Sequence, residues 1–299
     1  MSGLTVTDTL TDGNSQPLIL TSQPSSSSSI TAITQKGVDI DGEEAGDGSG
    51  KVSMNSNGSI IAISAPNNDG NGLDSGHVRV YSWDGFSWTQ LGLDIDGEHL
   101  YDNSGQSVSL SSDGYTLAIG APNSNDNGTG SGHVRVFDWN GISWLQRGTD
   151  IVGESAYDQS GYSVSLSSDG NILAIGAINN DGNGTESGHV RIYNWNDSIW
   201  SQLGNDIDGD SAHDQSGYSI SLSQDGNTIA IGSPYSNLDA STPLSGHARI
   251  FDWDGNLWIQ RGNNIEGESF WNFSGKSVSL SSDGNTVAIG APNNSSNNG

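Results

Sequence analysis

The chain reads as short runs in which apolar and polar residues alternate, separated by glycine, asparagine and aspartate. Ser107-Val108-Ser109-Leu110, Thr116-Leu117-Ala118-Ile119, His133-Val134-Arg135-Val136-Phe137 and Trp144-Leu145-Gln146 follow one another in this way, with no helical period competing. Period-two alternation rich in β-branched and aromatic residues, bounded by turn formers, is strand chemistry. The set then repeats. A Ser-Gly-His triplet places His77, His133, His189 and His247 at spacings of 56, 56 and 58 residues. An Asn-Gly or Asp-Gly turn recurs five times, at Asn57, Asp113, Asp169, Asp225 and Asp283. The pattern predicts an all-β chain of about five repeat units of ~56 residues, a β-propeller of four-stranded blades, in which radial repetition protects the sheet edges.

Turn lengths predict which face is functional. Strands one and two are joined by the tight Asn-Gly or Asp-Gly turn, and strands three and four by Trp83-Asp84-Gly85, Trp139-Asn140-Gly141 and Trp253-Asp254-Gly255, all hairpin signals. Strands two and three are joined by a longer polar loop, as at Asn67–Gly72, and the fourth strand leads to the next unit through an acidic loop, as at Asp94–Asp102. Alternate connections of an up-and-down blade lie at opposite ends, so both long loops crowd one face. The paired tryptophans Trp83/Trp88, Trp139/Trp144, Trp195/Trp200 and Trp253/Trp258 recur in every complete unit and are expected to pack between blades. The four repeated histidines, on separate blades, are too dispersed for one shared metal site.

Gly120-Ala121-Pro122 and Gly290-Ala291-Pro292, with variants at Ser64, Gly176 and Gly232, each follow a strand opened by Ser-Gly-x-Ser or, before Ser64, by Ser49-Gly50-Lys51-Val52. This pairing resembles the FG-GAP repeat of integrin alpha-chain propellers and their microbial relatives, over roughly residues 33–299. The resemblance implies an extracellular or cell-surface propeller, often of seven blades, that binds ligands on one face and carries calcium in the hairpin before the Gly-Ala-Pro strand. Here that hairpin is shortened to Ser111-Ser112-Asp113-Gly114 and its copies, leaving one carboxylate where calcium needs several oxygens. Gly76-His77 and Trp83-Asp84 echo the two dipeptides of WD repeats, but lie too close together for that family.

The acidic loops place oxygen-bearing side chains at positions one, three, five and nine: Asp39, Asp41, Glu43 and Asp47; Asp94, Asp96, Glu98 and Asp102; Asp206, Asp208, Asp210 and Asp214. Alternating oxygens suit calcium, and these twelve residues are the candidate metal ligands. The competing reading is a solvated acidic rim, because Ile40, Ile95 and Ile207 at position two fit a strand that simply continues with its acids toward water. Position eight holds Tyr101, Tyr157, His213 and Trp271. These are candidate ligand-binding residues, since rings beside acids can stack on sugars and hydrogen-bond their hydroxyls; the alternative is that they fill the gaps between blades.

Composition narrows the partners. Among 299 residues, 35 acids face 9 bases, a net charge of −26, which disfavours nucleic acid because neutralising phosphates takes clustered Lys and Arg. There is no cysteine, hence no disulfide framework or thiolate metal site. No apolar run approaches the roughly 18 residues of a membrane span, and the first 30 residues lack the layout of a secretory signal. Residues 1–32 read as a flexible Ser-rich leader and 33–299 as the propeller. Ile33 to Gly37 match a fourth strand and the C-terminus supplies strands one and two, so the chain is either a closed five-bladed propeller with a split blade, Pro17–Leu20 supplying the missing strand, or a fragment of a larger one. No nucleophile with a paired base stands out among the departures from the repeat. The expectation is a non-enzymatic surface or secreted binding or adhesion module that meets a protein or glycan on its long-loop face; the alternatives are a structural repeat segment and a carbohydrate-active propeller.

Overall fold

A computed structural model describes residues 35–237 and 243–293. Residues 1–34, with both segments invoked for closure (Pro17–Leu20 and Ile33-Thr34), lie outside them, as does most of the Leu238–Leu244 insertion. Contacts divide the chain into Met1–Lys36 and Gly37–Gly299, and every strand among the described residues belongs to the second part. No helix occurs among the described residues.

The expected strands form, in the expected order. Unit two pairs Ser107–Leu110 with Thr116–Ala121, and the latter with His133–Trp139, all antiparallel. Units one, three and four repeat this arrangement, and unit five contributes Ser277–Leu280 and Val287–Gly290. One feature differs from the expectation. The outer strand comes in two segments: Trp144–Gln146 pairs with the far end of the third strand, and Ile151-Val152 pairs with Val134 and His133 at its start. The acidic loop therefore begins as strand. Ile95, Ile151 and Ile207 are buried there, which is why position two is apolar, and Asp96 and Asp208 lie opposite His77 and His189 in the ladder.

The core lies between successive units. Ile60, Ala62, Val78 and Val80 of unit one pack against Leu110, Leu117, Ile119 and Phe137 of unit two, and equivalent clusters join units two to three and three to four. Second and third strands of units one to four are thus buried on both faces, each fully buried Leu or Ile contributing about 1.5–3 kcal/mol. The tryptophans act between blades as expected: Trp144, Trp200 and Trp258 donate their indole N–H to the carbonyls of Leu91, Arg147 and Leu203 in the preceding unit. The glycine of Gly-Ala-Pro has a steric cause. A Cβ on Gly176 would stand 2.3 Å from the carbonyl oxygen of Gly217 in the next unit.

The first strands converge. Met54, Leu110, Leu166, Leu222 and Leu280, one from each of the five units, line one cavity at the tight-turn end together with Ser56, Ser112, Ser168, Gln224 and Ser282. Backbone amides link those last five in series, Ser56 to Ser112, Ser112 to Ser168, Ser168 to Gln224 and Gln224 to Ser282, at 2.8–3.0 Å. The units are therefore arranged about a common axis.

Candidate functional site: the long-loop face

The two kinds of long loop meet, as strand parity requires. Gly97, Tyr101, Asn103 and Ser104 of the acidic loop donate backbone N–H to Gly76, Leu73, Asp74 and Ser75 of the other loop. The same pairing recurs with Tyr157 to Thr129, His213 to Thr185 and Trp271 to Pro243.

The four acids of one loop separate to four tasks. Position nine caps the loop from inside: Asp47, Asp102 and Asp214 are buried and accept the backbone N–H of Glu44, His99 and Ser211. Burial pushes Asp102 upward and Asp214 up to about 6. Position five reaches the arginine of the following third strand: Glu43 lies 3.5 Å from Arg79, Glu98 3.8 Å from Arg135 and Asp210 2.7 Å from Arg249. Position one is fixed by a glutamine of the outer strand, Gln90 to Asp94 at 2.6 Å and Gln202 to Asp206 at 2.5 Å. Position three sits on the strand segment, where burial raises Asp96 and Asp208 above the usual carboxylate value. Asp39 and Asp41 precede unit one outside any strand, and the backbone carbonyl of Asp41 accepts from Arg79.

What the structure brings together instead is one acid from each of two successive loops around a buried histidine. Among the described residues the groups able to hold an ion are Glu43-His77-Asp94, Glu98-His133-Asp150 and Glu154-His189-Asp206, each with donor atoms within 4.8 Å. In the third, His189 Nδ1 is buried without a hydrogen-bond partner, 3.9 Å from Glu154 and 3.7 Å from Asp206. Burial first, and Arg191 second, hold His189 down at about 4, so the ring is neutral. In unit four Asn264 replaces the position-one acid and closes the gap by donating directly to Asp210 at 2.9 Å. In unit two His133 is engaged by Asp126. The shortened hairpin offers no alternative: the Asp113 carboxylate is occupied by the Ser111 hydroxyl and the Tyr115 N–H of its own turn.

The position-eight side chains do not fill gaps between blades. Tyr101, Tyr157 and Trp271 are about half or more exposed, and all four, with His213, hold φ between 63° and 71°. A left-handed backbone under a bulky residue is strained and collects at functional sites. Tyr101 and Tyr157 line a cleft of about 440 Å³ with Asn103, Asn123, Asn125, Gln159 and Asn179. Its floor is an amide ladder that crosses unit boundaries: Asn103 donates to Asn67, Asn123 to Asn103, Gln159 to Asn123, Asn179 to Gln159 and Gln215 to Asn179.

Beyond Gln215 the ladder stops. The next two positions in the series are Tyr235 and Phe273, in edge contact at 5.5 Å, and rings continue from Tyr235 to Tyr218 and from Tyr218 to Tyr162. Tyr162 and Tyr218 occupy the x of Ser-Gly-x-Ser, whose other occupants are Gln106 and Lys276; in unit one Lys51 likewise follows Ser49-Gly50, directly before Val52. This position sits where each first strand begins, at the long-loop end of the axis. Reading along the sequence passes over it, because Lys, Gln, Tyr, Tyr and Lys look like noise beside fixed serines and glycines; that variability within a fixed frame is the signal.

The fold is that of a repeat-built β-propeller, with the cleft and the histidine–acid groups among its long loops. The FG-GAP repeat matches residues 95–137 and 153–193, and these two segments are repeats of that kind. No curated protein matches the sequence. Among solved structures the chain is similar to the hydrazine synthase of Kuenenia stuttgartiensis (12% identity, 81% of this chain and 61% of that one, TM-score 0.53). It is also similar to the periplasmic gluconolactonase of Pseudomonas aeruginosa (17% identity, 80% and 64%, TM-score 0.52). The chain thus spans less than two thirds of either, and at these identities the likeness establishes the fold alone. It also corrects one expectation. Both neighbours bear the names of enzymes, so this architecture does not mark a chain as non-enzymatic, and the exclusion of catalysis drawn from the missing nucleophile–base pair is withdrawn.

Proposed function

We propose that the protein is a surface or secreted binding module that takes a glycan on its long-loop face, in the cleft between Tyr101 and Tyr157. The observation that carries this reading is the composition of the cleft: two exposed rings held in strained backbone, and four amide side chains, Asn103, Asn123, Gln159 and Asn179, already aligned in a ladder. Rings stack on the C–H faces of a sugar, while amides both donate and accept, as hydroxyls require. Attachment to a glycan-bearing surface is the adhesive role such a cleft serves. Calorimetric titration against a neutral oligosaccharide panel tests it. Tyr157→Ala is expected to weaken binding about tenfold, roughly 1.4 kcal/mol; binding that ignores both Tyr101→Ala and Tyr157→Ala contradicts the reading.

A second reading rests on His189. Its unpartnered Nδ1 between two carboxylates is a donor set for a divalent cation, with one nitrogen and two oxygens in separate loops. Calcium prefers six to eight oxygens, so this set favours manganese or zinc over the calcium expected from the acidic loops. Melting scans with each cation and with chelator test it: stabilisation that disappears in His189→Asn supports it, and a melting temperature indifferent to all three cations opposes it.

A further inference from the structure

The charge balance isolates one anomaly. Of nine basic residues in a chain with 35 acids, the six arginines lie beside carboxylates: Arg79, Arg135, Arg191 and Arg249 on the third strands, Arg147 at Asp138 and Arg261 at Asp252. Lys51 and Lys276 form no ion pair with any carboxylate among the described residues. Lys276 occupies the x of Ser-Gly-x-Ser in unit five, and Lys51 follows Ser49-Gly50 in unit one, where the motif is one residue shorter; both stand where a first strand begins, at the long-loop end of the axis.

They meet aromatic rings there. The Lys276 ammonium stands 4.7 Å from the centre of the Tyr218 ring and 5.6 Å from that of Tyr235. Lys51 donates to the backbone carbonyl of Gln106 and lies within electrostatic reach of Tyr218, three units away along the chain. Tyr162 and Tyr218 pack at 5.0 Å and share a hydrogen bond. Burial by itself raises the Tyr218 phenol, but the hydrogen bonds from Tyr162 and Lys276 and the two lysine charges outweigh it and leave that phenol below its ordinary value. Two cations without a carboxylate partner, Lys276 over π faces and a phenol oxygen and Lys51 on a backbone carbonyl, leave positive charge uncancelled at this mouth, the condition for drawing in an anion.

We propose that the long-loop mouth of the axis is a binding site for a carboxylate carried on a sugar ring, a uronic acid unit, with the carboxylate between Lys51 and Lys276 and the ring against Tyr162, Tyr218 and Tyr235. Lysines supply the charge, and three tyrosines supply both stacking faces and hydroxyls that match those of a sugar. The inference deepens the glycan reading and rests on it, but uses different residues from the Tyr101–Tyr157 cleft.

Calorimetric titration of the full chain with glucuronate, glucose and acetate tests it. Glucuronate is expected to bind at least tenfold more tightly than either of the others, because glucose lacks the charge and acetate the ring. Lys51→Met and Lys276→Met, which keep stem length, are each expected to weaken glucuronate at least fivefold, while Lys276→Arg, which keeps the charge, retains most of the affinity. Glucuronate binding that is equal to glucose, equal to acetate, or unmoved by both methionine variants overturns the proposal. Glucose binding lost in Tyr157→Ala together with glucuronate binding insensitive to both lysine variants preserves the cleft and overturns the acidic site; lysine-dependent glucuronate binding unaffected by Tyr157→Ala supports the acidic site alone.

Discussion

The two sides of the axis mouth use one frame for different chemistry. On the side of units one to three, the residue after Gly-Ala-Pro/Ile and the tenth residue of the acidic loop are amides, and they join into the ladder from Asn67 to Gln215. On the side of units four and five the same two positions are Tyr235 and Phe273, and Lys276 stands over the rings. The backbone beneath is unchanged: Gln215 and Phe273 have φ of 50° and 53°. The repeat fixes where a side chain points, and departures from the repeat fix what that place can bind.

Breaking the shared frame at the junction of the two sides has the largest expected effect. Gly176→Ala sets a methyl against the backbone of unit four and the Ser163 hydroxyl, so neither neighbour yields without shifting a strand. A loss of about 3 kcal/mol is expected, from overpacking, read as a lower urea midpoint. Arginine truncation compares the sides directly. Arg249→Ala, which abandons a 2.7 Å pair with Asp210 and bonds to Asp208 and Ser216, is expected to cost about 3 kcal/mol. Arg191→Ala, whose carboxylate lies at 3.7 Å, should cost about 1 kcal/mol less. Equal costs would mean that the pair geometry has no energetic weight.

Acid sharpens the contrast further. Burial, then Arg191 or Arg249, pushes His189 and His247 down to about 4, so the unfolded chain binds their protons first and stability falls as pH drops from 6.5 toward 4. Asp214, raised to about 6, works the other way, its proton favouring the fold between 6 and 3.8. Two histidines outweigh one aspartate, so urea midpoints should fall on acidification, less steeply in His247→Asn and more steeply in Asp214→Asn. The smallest effect is expected in the ladder itself: Asn123→Ala removes two amide bonds at about 1 kcal/mol, and Tyr235→Asn should cost a similar amount through lost ring contacts.

Strand order, hairpin placement and the crowding of long loops on one face were legible because each depends on local periodicity and turn chemistry. The acidic loops were half legible. Ile95 and Ile207 signal a continuing strand, yet four acids in one loop read as one site, whereas backbone caps, arginines and histidines divide them. The trios around His77 and His189 join three segments, so no local pattern reveals them, although an acid recurs 17 residues after each histidine at Asp94 and Asp206. The axial residues were hidden for a related reason. Lys51 and Tyr218 become neighbours only when first strands converge, and no single unit contains that information.

The convergence itself admits a direct test, helped by a chain without cysteine. In the double variant Lys51→Cys/Tyr218→Cys, a short bifunctional thiol reagent is expected to join units one and four within one chain, detected as a linked peptide by mass spectrometry. Absence of that link, while Lys51→Cys/Gln106→Cys of adjacent units cross-links readily, would contradict the common axis.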